Sequence, residues 1–252
     1  FNTITHDGVI ITNGAIFGQA DMAFSPHVRM ITGLRGDTYH FDVKSSVNTA
    51  DSGSKTATLV SPKVSMIFSI SPDNDLFVSG GYGFHSNDAR GVTKAIDPAS
   101  ALVRVKGGEI GIKNRSFSTL QTALSLWTME SDSELVFAGD TGNTEPTGKA
   151  RRIGVEWANY YKPTPWMIVD ADVSLSRARY IGASAAGNRY VPEAMEQTVS
   201  IGAIISDYQG WFGGARLRYF GSRALVEDNS QRSQPSALVN LKVGKTLSKT
   251  FD

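Results

Sequence analysis

The sequence contains no cysteine, no long apolar run and no surplus of charge of one sign. Without cysteine, its 252 residues cannot form disulfides, thiolate metal sites or cysteine nucleophiles. No segment approaches the ~18 consecutive apolar residues of a transmembrane helix, which excludes a helical membrane protein. The 25 Lys and Arg residues nearly balance the 24 Asp and Glu residues, and no basic block indicates nucleic-acid binding.

Recognisable catalytic and metal-binding motifs are absent too. There is no G-x-S-x-G, Walker or H-E-x-x-H pattern. The histidines, His6, His27, His40 and His85, are scattered along the chain. We therefore expect neither an enzyme nor a bound cofactor or metal ion.

What the sequence does contain is a period of two. From Met167 to Leu175 an apolar side chain stands at every second position, and Asp170 and Asp172 stand between them. Similarly, Ile110 and Ile112 alternate with charged neighbours. This pattern predicts about eleven long β-strands, each with one apolar and one polar face. The predicted polar face includes Lys63, Glu109, Lys113, Glu156, Arg216 and Arg218.

Short and long connections alternate along the chain. Short breaks are predicted at 25–27, 71–74, 115–116, 162–165 and 207–210, and a sixth near Ser248; longer polar loops are predicted at 47–58, 86–104, 132–148, 181–194 and 223–235. Short turns at one end and long loops at the other are typical of outer-membrane β-barrels.

Aromatic residues collect near the short breaks. Ten of the 24 lie within a few residues of one: Phe24, Phe68, Phe77, Phe117, Tyr160, Tyr161, Trp166, Tyr208, Trp211 and Phe212. Membrane barrels place aromatic girdles at the interface between lipid and water, whereas soluble sheets also pack aromatic rings at hairpin ends.

Several hairpins resemble those of TonB-dependent outer-membrane receptors. The resemblance is carried by Ser61-Pro62-Lys63-Val64 leading to the stretch from Asp75 to His85, by Gly108 to Lys113, and by Glu145 to Glu156 leading into Pro165-Trp166. It implies an all-β fold, an antiparallel up-and-down transmembrane β-barrel with short periplasmic turns and long extracellular loops. It also implies import of a scarce nutrient such as an iron-siderophore across the bacterial outer membrane, energised by the TonB protein.

The chain departs from the whole family pattern. We expect the plug domain, the TonB-contacting box, the first strands and a closing strand to lie outside these residues. We therefore expect residues 1–252 to be the C-terminal part of a single barrel domain, with about half of the strands. Its partners would be membrane lipid, a small-molecule ligand and, through the missing plug region, TonB.

Ligand contacts are expected where polar-face residues enter a long loop. The candidates are His85, Asn87, Asp88 and Arg90, since a His with an Arg suits an anionic or metal-chelating ligand. A capped loop start with a surface ion pair is the alternative interpretation. Tyr180 and Tyr190, which flank another loop, offer a stacking surface. Asp170 and Asp172 are expected to be solvated charges of the polar face. Binding of a cation and pairing with Arg152 on the neighbouring strand are the alternatives.

Two other classes remain open. A soluble β-propeller would also repeat about every 40–45 residues, but with four short strands per repeat instead of two long ones. A β-rich hydrolase has no recognisable triad or acid pair in its favour.

Overall fold

The structure is a computed structural model. It describes residues 6–47, 49, 52–138, 143–146, 148–182 and 189–247. Within these ranges no helix is long and apolar enough to cross a lipid bilayer.

The described chain is almost entirely β-structure. Its elements are β1 (Asp7–Ser25), β2 (Val28–Ser45), β3 (Gly53–Ser71), β4 (Asn74–Ser86), the helix α1 (Ala89–Thr93), β5 (Leu102–Phe117), β6 (Leu120–Ser131), β7 (Leu135–Ala138), β8 (Asn143–Pro146), β9 (Ala150–Thr164), β10 (Met167–Tyr180), β11 (Gln197–Tyr208), β12 (Trp211–Phe220) and β13 (Ser236–Lys245).

Eleven of the strands form one antiparallel sheet. Its order follows the chain from β1 to β13, and β7 and β8 pair with each other as a separate hairpin inside the loop between β6 and β9. This up-and-down topology confirms the predicted barrel-type sheet, which is not closed by the described strands. Because the strands run consecutively in one sheet and not in four-stranded blades, the β-propeller alternative is wrong.

The register confirms the two predicted faces. Ile110, Leu126, Val155 and Leu175 are direct partners on four adjacent strands and form one row. Three of them expose 44–58% of their surface, although they are large and apolar. We call the side of the sheet that carries this row the apolar face. Glu109 and the other predicted polar residues lie on the opposite side, the polar face.

Three of the predicted short turns are confirmed. The two-residue turns at 26–27, 72–73 and 209–210 join strands that begin and end next to them. The predicted turn near Ser248 lies outside the described residues.

Two predicted turns are wrong by a few residues. β5 continues past Arg115 to Phe117, because Asn114 and Ser116 bond to each other across a β-bulge: the Ser116 N–H donates to Asn114 Oδ1 at 3.2 Å. β9 continues through Pro163 to Thr164. Proline is tolerated there since the ladder from β9 to β6 has already ended at Tyr161.

Pro62 also lies inside a strand, in the middle of β3. It pairs with Leu34 on β2, whereas pairing of β3 with β4 starts only at Lys63 and Gly81. A proline has no N–H for a second neighbour. The two strands therefore separate above this point, towards the long loops.

The predicted long loops are shorter than expected. β3 already begins at Gly53, within the predicted loop 47–58, and the loop 86–104 contains α1 and the start of β5. These segments extend past the apolar row, where polar side chains suit both faces and the period-two signal disappears. The loops 181–194 and 223–235 are confirmed as connections between strands.

Two small cores lie where loops fold back onto the polar face. Phe41 and Val43 of β2 are covered by Ala89 and Val92 of α1 and are at most 2% exposed. The second core joins Ala150, Ala178 and Tyr180 to Val191 and Ala194 of the next loop. The long loops thus cover part of the polar wall.

The aromatic residues near the turns do not all face the same way. Phe77 lies over Gly111 and Phe212 lies over Gly244 on the polar face, where a Cβ on either glycine would meet the ring at 2.4 or 2.3 Å. These rings pack against the wall and contribute nothing to an outward girdle.

The face assignment predicts which substitutions block insertion into lipid. Leu124→Arg places a charge on the apolar face near mid-bilayer and should lower the free energy of unfolding by about 2–4 kcal/mol. The matched change Ser174→Arg on the polar face should be mild, because Ser174 lies beside Glu156. Folding of the complete receptor into lipid vesicles measures both, and equal tolerance at the two sites would contradict the assignment.

Candidate functional site

The polar face carries charges of both signs. Glu109, Lys113 and Glu156 share it with Lys63, and Arg216 and Arg218 follow on β12. A wall of this kind suits water or a polar solute, since exposed side chains of mixed sign remain solvated.

One ion pair spans two strand spacings of the polar face. The Arg216 guanidinium donates to both Asp170 oxygens, at 2.7 and 2.8 Å, and to Ser200 Oγ at 2.9 Å. β11 lies between them and presents Gly202, the register partner of both residues. A Cβ at Gly202 would meet Arg216 Nη2 at 2.6 Å, so the glycine leaves the space that the pair occupies.

Asp170 is not the solvated charge that the sequence predicts, because Arg216 binds it, and the alternative pairing of Asp170 or Asp172 with Arg152 is also wrong. Arg152 donates to Glu134 at 2.8 Å instead. Sequence distance favoured the adjacent strand, but Arg216 reaches across β11 because Gly202 has no side chain in its path.

The candidate residues at the end of β4 make separate contacts where the strand enters the loop. His85 Nε2 lies 3.2 Å from the Ser133 carbonyl of the neighbouring loop, and Asn87 donates to the Ser100 carbonyl at 2.7 Å. Asn87 is 3% exposed, and His85 Nδ1 and Asn87 Oδ1 have no hydrogen-bond partner among the described residues. Asn87 thus joins the two ends of the loop after β4, and His85 contacts the loop after β6.

Asp88 and Arg90 form the start of α1. Asp88 is the N-cap and accepts the Arg90 backbone N–H at 2.9 Å, while the Arg90 guanidinium returns to the same carboxylate at 2.6 Å. The hydrogen bond from Arg90 lowers the pKa of Asp88 below its ordinary value, against the desolvation that raises it. This geometry confirms the alternative interpretation of these residues, a capped loop start with a surface ion pair. Whether the group also binds a ligand stays a prediction.

The two tyrosines occupy different environments. Tyr180 is 8% exposed within the second core, so its ring offers no stacking surface. The Arg179 guanidinium lies 3.5 Å from the centroid of the Tyr190 ring. Tyr190 therefore already stacks on a cation of its own chain.

No pattern in the sequence predicts the link between the last two loops. Arg232 donates to Glu196 and to the Ser222 carbonyl, and the Tyr190 backbone N–H donates to the Glu227 carbonyl at 3.0 Å. These contacts join residues far apart in sequence, and no periodicity reports on loop-to-loop contacts. Within the part of the chain that is described, no group of three His, Asp or Glu side chains is placed to hold a metal ion.

Comparison with known proteins identifies the family. Residues 2–252 match the family described as TonB dependent receptor-like, beta-barrel. The chain belongs to the TonB-dependent receptors. The comparison with curated protein sequences gave no match.

Solved receptor structures share the fold of this TonB-dependent receptor chain. The ferric yersiniabactin uptake receptor FyuA from Yersinia pestis superposes with a TM-score of 0.75 at 13% identity, over 97% of this chain and 40% of its own. The ferric-catecholate import receptor Fiu from K12 E. coli gives 0.72 at 15%, over 96% and 39%. The copper transporter OprC gives 0.70 at 16%, over 96% and 41%.

The receptor chain spans about 40% of the length of these structures. At this identity the likeness shows the fold alone. The family is one of the bacterial outer membrane, which agrees with the lipid-type apolar face.

Gly202 is predicted to be essential for the Asp170–Arg216 pair. Gly202→Val places carbon atoms where the two side chains meet and should lower the free energy of unfolding by about 1–3 kcal/mol, the range for hydrogen bonds to charged groups. Denaturant titration of the receptor in lipid vesicles measures the change. Gly83→Val is the control, since nothing lies within 4 Å of a Cβ there. Equal effects at both glycines would contradict the proposed role.

The lowered pKa of Asp88 predicts how the order of α1 depends on pH. A depressed folded-state pKa means that the cap stabilises α1 above the ordinary carboxyl pKa of about 4 and is lost as pH falls through the lowered value. A spin label at Ile96→Cys, an exposed position in a chain without cysteine, should keep a constant mobility from pH 8 to 5 and become more mobile only in stronger acid.

Two variants separate capping from charge. Asp88→Asn keeps a good N-cap residue and should remove the acid transition, whereas Asp88→Ala should loosen the loop at every pH. An unchanged acid transition in Asp88→Asn would show that another group controls the loop.

Proposed function

We propose that the receptor containing this chain imports a scarce nutrient, such as a ferric siderophore, across the outer membrane. The proposal includes transport energised by TonB and no catalytic step. The observation that carries it is the match of residues 2–252 to the TonB-dependent receptor barrel, combined with a polar wall on one face of the sheet.

The relatives support the type of cargo. The printed names of the similar structures describe uptake of ferric yersiniabactin, import of ferric catecholates and transport of copper. Uptake of a metal is the common element, and we extend it to this chain, as a metal chelate, as part of the proposal. The short turns would face the periplasm and the long loops the outside.

We place ligand contact at the loop end of β4, where His85, Asn87, Asp88 and Arg90 lie. Asn87 is buried, so it would hold the loop and not touch the ligand. Arg90 retains 39% exposure of its side chain and is the best placed of the four to meet an anionic chelate. A guanidinium binds carboxylates and phosphates through paired hydrogen bonds.

Uptake in cells tests the function. Deleting the gene of the complete receptor should abolish uptake of at least one radiolabelled ferric siderophore from a panel, and the same loss should follow deletion of TonB. Reintroducing the receptor gene should restore uptake. Normal uptake of every chelate, and normal growth without added iron in the deletion strain, would overturn the proposal.

A charge-neutral variant tests the site. Arg90→Gln should raise the half-saturating concentration of the transported chelate about tenfold, roughly the 1.4 kcal/mol of one charge-assisted contact, with little change in maximal uptake. Lys94→Gln removes an exposed cation from the same loop and serves as the control. Identical uptake curves for both variants would remove Arg90 from the site.

A further inference from the structure

Charged side chains also occur on the apolar face, and they form a second row. Tyr82, Lys106, Glu130, Arg151 and Arg179 are direct register partners on five adjacent strands of the sheet. We call this set the charged row. It shares the face of the apolar row, from Ile110 to Leu175.

The charged row lies just beyond the apolar row, on the side of the long loops. On each of the four shared strands the two rows are four residues apart, for example from Ile110 to Lys106 and from Leu175 to Arg179. At ~3.3 Å per residue and a strand tilt of ~40°, this is roughly 10 Å along the membrane normal. Polar headgroups begin within about this distance of the apolar row. The charged row therefore lies at the level of the headgroups.

The charges of this surface do not cancel. The Glu130 carboxylate forms salt bridges with both Lys106, at 2.8 Å, and Arg151, at 2.5 Å. One negative charge is therefore shared between two positive charges. Arg179 lies 3.9 Å from Glu196, which also binds Arg232. On a chain with a net charge of +1, the surface from β5 to β10 therefore has a local excess of positive charge.

Two arginines at its margins lack any carboxylate partner among the described residues. Arg104 is the next residue after Lys106 on the same face, on the side of the long loops, and its guanidinium carbon lies 5.4 Å from the Tyr82 ring centroid. Asp132 lies opposite Arg104 on the next strand, but its carboxylate binds Lys149 at 3.1 Å. Arg177, one step below Arg179, is exposed and makes no ion pair within the described ranges. Arg177 lies on the hydrocarbon side of the charged row, where an isolated guanidinium is costly, which indicates that an anion of the membrane itself meets it.

The aromatic residues at the two ends of the charged row support its placement at the level of the headgroups. Tyr82 lies at one end, and Tyr190, bridged to Arg179, at the other. Tyrosine prefers the interface between hydrocarbon and water. Cations between such rings face headgroups and not a soluble partner.

We propose that Arg104 and Arg177, with Lys106 and Arg151, bind phosphate groups of lipid headgroups in the leaflet next to the long loops. Paired guanidinium hydrogen bonds fit phosphate oxygens, and the partial neutralisation by Glu130 holds Lys106 and Arg151 in place. The site rests on the membrane orientation given under the proposed function, but not on the transported ligand.

Lipid binding by the intact receptor in a non-ionic detergent tests the proposal. Diphosphoryl lipid A should bind at least about tenfold more tightly than the same lipid without phosphates, as measured by native mass spectrometry. The preference should weaken from low to high salt because exposed charges are screened. Arg104→Gln combined with Arg177→Gln should weaken binding about tenfold.

A matched double variant controls for net charge. Lys113→Gln with Arg218→Gln removes two cations from the polar face and should change lipid binding less than about twofold. Equal losses in the two double variants, or equal binding of the phosphorylated and dephosphorylated lipids, would overturn the proposal. Displacement of the lipid by inorganic phosphate at similar concentration would indicate a site for free phosphate and would also overturn it.

The charge-conserving variant checks that folding is intact. Arg104→Lys with Arg177→Lys should keep most of the binding, and the heat-dependent shift of the folded barrel on gels should be unchanged in all variants. This measurement needs no transport, so a failure in uptake leaves its result interpretable, and the reverse also holds.

Discussion

The hydrogen-bond requirement of the backbone in lipid is the constraint on which this sheet depends. Inside the hydrocarbon every N–H and C=O must bind a neighbouring strand, so the chain can cross only as a continuous antiparallel ladder. Once the ladder is fixed, side chains alternate between lipid and the polar interior. The direct pairing of Ile110, Leu126, Val155 and Leu175 on successive strands is the consequence, because a slip by one residue would turn every apolar side chain inward.

The irregular features lie where this constraint is relaxed. β3 and β4 separate on the long-loop side of Lys63 and Gly81, next to Pro62. The loop after β4 folds over the polar face and is held by hydrogen bonds of Asn87 and Asp88. Near the short turns, the pairing register shifts at the end of β5 and at the beginning of β10. Water or polar side chains can satisfy the backbone at both ends, so irregular structure costs less there than within the hydrocarbon.

The sequence predicts the strands and their faces well for the same reason. Within the bilayer the period of two is strict, and Met167 to Leu175 displays it without interruption. The period of two does not predict the start of β3 at Gly53 or the end of β5 at Phe117, because those residues have water or polar neighbours on both faces. The short helix α1 is held by the Asp88 cap and by burial of Val92, and five residues provide too little periodicity to reveal it.

Charge partners were the least predictable part of the site, since they depend on register and on which neighbours lack a side chain. Asp170 meets Arg216 rather than Arg152 because Gly202 opens a path across β11. The same register places Lys106, Glu130 and Arg151 side by side on the other face, although they are widely separated in sequence. An ionisable residue that faces the hydrocarbon is expensive unless it meets an opposite charge, and this cost falls towards the headgroups. The strands therefore determine two different electrostatic surfaces at once, one towards the polar interior and one at the level of the headgroups.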